Sequence, residues 1–460
     1  MPSDKEEFLL KIADLDQHKQ LLLLAFPMIL SNITVPLLGL VDTAVIGHLP
    51  HAYFLGGSTI GAMIITSITW LCGFLRMSTT GLSAQAYGFN DIQQNLLVLL
   101  RGILVAFAIG FSFVLLQVPF IDIALNVAGG SEQVQLYAKQ YSEIRIWGLP
   151  AALANLVILG WLLGNHQASV VMWLLIATNL INICLDLLFV FGFGWQVKGV
   201  ASATIIAEYS GLLAGLTIIF LRYYSSVKQF LTDQTALFAS LFEQNSLFCY
   251  FKLNRDILIR TLCLEACFLF ITFQGARLGD EVVAANAILM NFLLLISFGL
   301  DGIANAAEVM VGKAYGEEDN KKLHSTVKIG LFWTAIFALA YALLFALAGQ
   351  WLLSLISNIN AVIDFAQHYL VWMIILPLVA CWCYLFDGVY IGLMKATAMR
   401  NSMMIATFAG FFPLWFLLKD YGNHGLWAAL LCFMLIRGVT LAWHYKCRVL
   451  NTIPIDPASS

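Results

Sequence analysis

The chain reads FPMILSNITVPLLGLVDTAVIG from Phe26 to Gly47. This run is long and apolar enough to cross a bilayer as one helix, which takes about 20 residues. It also carries Pro27, Pro36 and Asp42. Each proline removes a backbone donor and favours a kink, and a carboxylic acid at membrane depth costs about 3 kcal/mol or more unless it is neutralised or paired. We predict a bent membrane helix with a functional acid; the alternative is that Asp42 lies at the membrane surface.

The composition of the whole chain indicates the same class of protein. Of its 460 residues, 60% are hydrophobic and 11% are charged, and the mean hydropathy is +0.84. Soluble domains do not have this composition, and apolar runs of about 20 residues exclude outer-membrane barrels, whose strands alternate over about 10 residues. The net charge of −3 gives no indication of a nucleic-acid partner. The nine cysteines are placed singly, which predicts neither disulfides nor a metal site. We predict an all-α polytopic membrane protein in contact with lipids, without a cofactor.

Twelve transmembrane helices are predicted from the apolar runs. They cover 20–46, 54–80, 95–120, 134–163, 168–192, 199–222, 254–276, 284–311, 325–355, 366–394, 401–418 and 425–445. The predicted domains are an interfacial segment at 1–19, an N-lobe at 20–222, a cytoplasmic linker at 223–253, a C-lobe at 254–445 and a cytoplasmic tail at 446–460. Lys and Arg concentrate in the segments that lie inside when the N-terminus is cytoplasmic, so we expect both termini in the cytoplasm.

The two predicted lobes repeat one another in sequence. Three pairs share an offset of 228 residues: Ala86-Tyr-Gly with Ala314-Tyr-Gly, Gly160 with Gly388, and Gly164 with Gly392. Each half holds six spans, and an even number of spans gives a parallel repeat, related by a pseudo-two-fold axis along the membrane normal. Such folds are expected to place a substrate cavity between the lobes and to open it alternately to each side.

A polar cluster is present in the first half and missing from the second. Asn179, Asn182 and Asp186 lie three and four residues apart, on one face of the fifth span, and Thr204 adds a hydroxyl from the sixth. At the offset of 228, the counterparts of Asp42, Asn179, Asn182 and Asp186 are Phe270, Thr407, Gly410 and Leu414. The polar residues of the N-lobe are therefore not a general feature of the repeat.

Two carboxylates close together in a low-dielectric bundle cannot both stay ionised, so such a pair binds a proton. The same carboxylate, amide and hydroxyl oxygens also suit Na⁺. The structural alternative is that Asn179, Asn182 and Asp186 only join helices by hydrogen bonds. The sequence alone does not distinguish a proton site, a Na⁺ site and a structural contact.

The second half has acids of its own, and Glu265, Asp301 and Asp387 form a rival ion site. Arg260 follows Asp256 by four residues, which predicts a local pair on one helix face. The candidate cavity residues are Asn32, Tyr141 and Asn155.

Four stretches resemble the multidrug and toxic compound extrusion (MATE) transporters, and in particular their DinF-like branch. They are PMILSNITVPLLGLVDTAVIGHL at 27–49, LRMSTTGLSAQAYG at 75–88, NRDILIR at 254–260 and LDGIANAAEVMVGKAYG at 300–316. The resemblance implies a twelve-helix antiporter of a bacterial cytoplasmic (inner) membrane, acting as a monomer. It would expel cationic or amphipathic organic compounds against an inward flow of H⁺ or Na⁺.

The resemblance also implies roles for particular residues. The coupling site of this branch falls on Asp42, Asn179, Asn182, Asp186 and Thr204, and the hinge of the first helix falls on Pro27. Other branches have a cation site in the C-lobe with acids in the seventh and tenth spans, where Glu265 and Asp387 look similar. H⁺ coupling through the N-lobe is the reading we adopt, and Na⁺ coupling through the C-lobe is the alternative.

The sequence argues against two other classes of protein. A lipid-linked sugar flippase predicts a strongly cationic cavity, whereas the membrane-embedded charges here are mainly acidic. An intramembrane enzyme predicts paired catalytic groups such as HExxH or a GxGD context, and the sequence contains neither. We therefore expect a transporter and not an enzyme.

Overall fold

The computed structural model describes residues 15–49, 51–232, 240–356 and 360–450, and within these ranges the regular structure is helical. The twelve long helices are α1 Leu15–Gly47, α2 Tyr53–Gly88, α3 Ile92–Leu115, α4 Glu132–Gly164, α5 Ala168–Gly192, α6 Gln196–Arg222, α7 Gln244–Leu278, α8 Glu281–Gly316, α9 Asn320–Ile356, α10 Val362–Gly392, α11 Ala396–Tyr421 and α12 Asn423–Val449. Parts of the predicted N-terminal segment, linker and tail lie outside the described residues.

The predicted all-α membrane fold is confirmed by these helices. In the part of the chain that the structure describes, eleven helices are long and apolar enough to cross a membrane. The twelfth, α7, contains the predicted seventh span, and between residues 257 and 274 its charged residues are Arg260 and Glu265. α1 begins at Leu15, so the described end of the predicted interfacial segment continues directly into the first span.

A separate short helix, Gln117–Ala128, follows α3. The sequence predicted that the third span would run to residue 120, but α3 ends at Leu115. Pro119 explains the difference, because inside a helix its ring would clash with the carbonyl group four residues earlier. In the first turn of the next helix the missing N–H has no cost.

The predicted linker between the halves, called the connector below, is described by the structure before residue 233 and after residue 239. It contains the helix Tyr224–Thr232 and, from Gln244, the beginning of α7, which starts earlier than predicted. Arg101, buried on α3, donates to the carbonyl oxygen of Ser240 and to that of Leu241 at 3.2 Å. The end of the connector is therefore held against the first half of the chain.

The helices group into two units. The N-terminal unit is Leu30–Phe251, and the C-terminal unit combines the chain from Lys252 onward with the described residues up to Ile29. α1 is therefore divided between the units two residues after Pro27. Its first part packs in the C-terminal unit, where a methyl group added at Gly302 would overlap the Ile29 side chain.

A close helix contact in the N-terminal unit depends on two glycines of α4. A methyl group added at Gly160 would lie 2.6 Å from the carbonyl oxygen of Arg76 on α2. One added at Gly164 would lie 2.7 Å from the carbonyl oxygen of Thr80, one turn further along α2. The small-xxx-small spacing of the two glycines lets the helix backbones touch.

The C-terminal unit repeats this contact with a different pair of helices. Methyl groups added at Gly388 and Gly392 of α10 would overlap the backbone of α8 at Ala304 and Glu308, respectively. Gly388, Gly392, Ala304 and Glu308 each lie 228 residues after their counterparts in the N-terminal unit, which are Gly160, Gly164, Arg76 and Thr80. The repeat predicted from the sequence is thus confirmed as a repeated helix contact.

Candidate functional site

Two carboxyl groups meet inside the N-terminal unit. Asp42 of α1 and Asp186 of α5 are close enough to share a hydrogen bond when one of them carries a proton. Asp186 is fully buried. Among the described residues, no hydrogen-bond donor reaches either oxygen of Asp186 or Oδ1 of Asp42. We name Asp42 and Asp186 the acid pair; because like charges repel strongly at this depth, the pair requires a shared proton or a cation.

The amides predicted for this site lie on α5 beside the acid pair. Asn182, one turn before Asp186, is buried, and no donor in the described part of the chain reaches its Oδ1. Asn179 donates from Nδ2 to the carbonyl oxygen of Thr34 on α1, at 3.5 Å. α5 changes to a π-helical turn at Leu188–Gly192, a feature often found at functional sites. The polar face of α5 thus contacts α1 through Asn179 and through the neighbouring carboxyl groups of Asp186 and Asp42.

The remaining residues predicted for the N-lobe site have more ordinary surroundings. The Thr204 hydroxyl on α6 donates to the carbonyl oxygen of Val200 at 2.9 Å, so only its lone pairs remain as acceptors. Asn32 and Pro27 are half-buried on α1. Asn155 of α4 donates from Nδ2 to the backbone carbonyl of Glu208 at 2.8 Å, which makes it a contact between α4 and α6.

Two charged residues of this site were missed by the sequence analysis. Arg145 of α4 and Glu208 of α6 form a bidentate ion pair, with Nη1–Oε2 at 2.8 Å and Nη2–Oε1 at 2.5 Å. Tyr141, buried on α4, lies within electrostatic range of Arg145 and of both members of the acid pair. The available signal was helical spacing, since Arg145 follows Tyr141 by one turn inside an apolar span.

The ion pair occupies space left by a glycine. A methyl group at Gly148 would lie 2.6 Å from Oε2 of Glu208 and 2.7 Å from Nη1 of Arg145. Gly148 ends a short 3-10 turn, Ile146–Gly148, that interrupts α4 directly after Arg145. Tyr209 of α6 donates to the carbonyl oxygen of Trp147 in this turn at 3.0 Å. The turn, the glycine and the α6 contacts together hold the ion pair.

The C-terminal unit treats its buried acid differently. Asp387 of α10 accepts hydrogen bonds from Arg260 of α7 and from Arg437 of α12, the latter at 2.6 Å, and all three residues are buried. The predicted local pair of Arg260 with Asp256 is wrong. Arg260 instead neutralises a buried acid that would otherwise be strongly destabilising, while Asp256 accepts from Arg400 at 2.8 Å.

The other predicted acids of this unit lie on α7 and α8. Asp301 of α8 is half-buried and, like Asp387, lies within electrostatic range of the Cys383 thiol. Tyr384, which Asp301 also influences, hydrogen-bonds Ser297 at 2.5 Å. Glu265 is half-buried on α7. The structure thus places Asp301 and Asp387 in one neighbourhood that also contains two arginines.

The C-terminal counterpart of Asp42 lies in an aromatic cluster. Phe270 packs edge-on against Phe411, Phe412 and Trp415, with ring centroids 5.7, 5.2 and 6.0 Å away. Edge-to-face pairs of this kind stabilise apolar packing. The position that holds an acid in one unit is therefore filled by hydrocarbon in the other.

Comparison with known proteins decides the class of molecule. The MatE family model matches the chain twice, over residues 27–188 and 257–419. The chain is a MATE-family transporter. The family resemblance seen in the sequence is confirmed, and membership of this family makes the protein a transporter and not an enzyme.

Individual relatives of this MATE transporter cover nearly its whole length. It is 45% identical over 423 residues to DNA damage-inducible protein F of Escherichia coli (strain K12), spanning 91% of this chain and 90% of the relative. It is 26% identical over 468 residues to the probable multidrug resistance protein NorM of Photorhabdus laumondii, spanning 95% and 97%. The Vibrio cholerae MATE transporter VcmN, solved in a bent form, superposes with a TM-score of 0.80 at 21% identity, covering 94% of this chain and 96% of that one.

Proposed function

We propose that this protein is a multidrug efflux antiporter that exchanges small cationic or amphipathic organic compounds for H⁺ at the acid pair. One observation carries the proposal: the carboxyl group of buried Asp186 neighbours that of half-buried Asp42, and no donor in the described chain reaches Asp186. A site of this kind has to be compensated by a positive species. A proton and an organic cation both meet that need.

Antiport follows if the two positive species exclude each other. Protonation removes the negative charge that attracts the organic cation, so each ligand weakens the binding of the other. With protons more abundant outside, the acid pair is protonated when it faces outward and the cation is released there. Neither ligand needs to be bound tightly, because only the difference between the two states drives exchange.

α1 is the element that we expect to move. It supplies Asp42, contacts α5 through the long bond from Asn179, and is divided between the units just after Pro27. Pro27 and Pro36 each remove a backbone hydrogen bond, which makes bending of α1 less costly. The bent form reported for VcmN is consistent with a fold that has more than one arrangement.

The surroundings of Asp387 support coupling in the N-terminal unit. Arg260 and Arg437 already compensate this acid, so it has less need of a metal cation than the acid pair. We further propose that the protein acts as a monomer in the bacterial cytoplasmic membrane with both termini in the cytoplasm. The distribution of Lys and Arg and the similarity to the Escherichia coli protein support that placement.

Substitution of Asp42 tests this function. Cells that lack their own exporters and produce the Asp42→Asn variant should accumulate ethidium as cells without the transporter do, because asparagine cannot exchange a proton. Asp122→Asn is the matched control, since Asp122 forms only an exposed ion pair with Lys139. Normal ethidium efflux by Asp42→Asn, at equal protein level and with a normal gel-filtration profile, would contradict the proposal.

A further inference from the structure

The N-terminal unit contains an internal cation next to the acid pair. The guanidinium of Arg145 pairs with Glu208 and also interacts electrostatically with Asp42, which in turn lies beside Asp186. Arg145 is always positively charged. Its position therefore decides which carboxylates remain without a counter-ion.

Glu208 holds that guanidinium by both of its terminal nitrogens. The bonds of 2.8 and 2.5 Å use both oxygens of Glu208, and the two side chains are only 11% and 17% exposed. A bidentate pair fixes direction as well as charge. Gly148 leaves the space for this arrangement, since any larger residue there would collide with both partners.

Loss of Glu208 would remove the carboxylate that pairs with the buried guanidinium of Arg145. The acid pair is the nearby acceptor, because Asp186 receives no donor from the described residues and Asp42 already interacts with Arg145. Tyr141 interacts electrostatically with Arg145, with Glu208 and with both aspartates, which shows that these groups share one neighbourhood. Capture of the guanidinium would give the acid pair a permanent counter-ion.

We propose that Glu208 withholds Arg145 from Asp42 and Asp186, and so keeps the acid pair available to a proton or to a cationic substrate. Glu208 is thus a positioning residue that acts through Arg145 and sets the charge of the binding site. It has this role only if the acid pair binds the transported cation, as the proposed function states. The two proposals are separable, because Asp42→Asn tests the acid pair without altering the ion pair.

Binding of tetraphenylphosphonium to the purified full-length protein at pH 8 tests the role of Glu208. Glu208→Gln should weaken binding by about tenfold or more, because the released guanidinium repels the probe and occupies its site. The double variant Arg145→Gln/Glu208→Gln should bind within about threefold of the wild type, because the competing cation is gone. Recovery on removing a second charged group is not expected of a purely structural ion pair.

Three results would overturn this role. They are equal losses in the single and double variants, no loss in Glu208→Gln, and a loss of the same size in the control Asp122→Asn. If Glu208→Gln does not fold, Glu208→Asp replaces it, and the same weakening and the same recovery with Arg145→Gln are required. If Asp42→Asn binds the probe as the wild type does, the acid pair itself is refuted, whatever Glu208 does.

Discussion

At the scale of single residues, the surroundings of an acid decide what it can do. Asp186 and Asp387 are both buried on membrane helices, but only Asp387 accepts from two arginines. Removing one member of a buried ion pair exposes the other to an uncompensated desolvation cost. Removing a charge that has no counter-ion has no such cost.

Matched Asp→Asn substitutions should therefore have opposite effects on stability. Asp387→Asn should lower the free energy of unfolding by about 3–5 kcal/mol, because two buried guanidinium groups lose their carboxylate. Asp186→Asn should leave the stability unchanged or raise it, because a neutral amide beside Asp42 needs neither a proton nor a cation to compensate it. Thermal unfolding in detergent, followed by tryptophan fluorescence, measures both. Equal destabilisation by the two substitutions would show that their environments do not differ in this way.

At the scale of helices, both units contain the same close contact between glycines and a neighbouring helix backbone. Gly160 and Gly388 lie against α2 and α8 at positions separated by the same 228 residues. α1 lacks such a contact around Gly39, where nothing lies within 4 Å of an added methyl group. The tight contact between α8 and α10 therefore contrasts with the open packing of α1 around Gly39.

Gly388→Ala should destabilise the C-terminal unit by about 1–3 kcal/mol, because the added methyl group overlaps the carbonyl group of Ala304 and forces the helices apart. Gly39→Ala is the matched control, and it should be neutral or stabilising because alanine is the better helix former. The melting temperatures of the two variants in detergent make the comparison. A Gly388→Ala variant as stable as the control would show that α8 and α10 are not tightly packed.

At the scale of the whole molecule, the two repeated units carry different side chains at equivalent positions. The N-terminal unit holds the acid pair, while the equivalent positions of the C-terminal unit include Phe270 in an aromatic cluster. Under the proposed function, the ion that couples transport binds at this acid pair, and the pair is neutralised there by a proton. Transport should then follow the gradient of one ion.

Proteoliposomes loaded with ethidium separate the coupling ions. An imposed pH gradient without Na⁺ should drive dye exchange, whereas a Na⁺ gradient at equal pH on both sides should not, because the acid pair needs only a proton. Liposomes containing Asp42→Asn are the control for leakage. If the Na⁺ gradient alone drives exchange, the coupling ion is Na⁺ and not H⁺. If neither gradient drives exchange, the proposal that the protein is an antiporter is refuted.

The helices, the repeat and the polar face of α5 follow from residue order, because apolar length and helical spacing are properties of one segment. Asp186 and Asn182 share a face whatever surrounds them, and Gly160 and Gly388 correspond by numbering alone. The family resemblance rests on the same local stretches. The end of α3 was predicted poorly, although the effect of Pro119 is also local.

Partners across helices could not be predicted in this way. Arg145 and Glu208 are 63 residues apart and Arg260 and Asp387 are 127 apart, and periodicity describes a face of one helix without naming what it meets. Arg260 illustrates this: its spacing in the sequence favoured an ion pair with Asp256, whereas in the structure it pairs with Asp387. Residue order determined the membrane helices and the acids they carry. Tertiary structure decided which acids have a counter-ion, because burial and contact between distant segments set the cost of each charge.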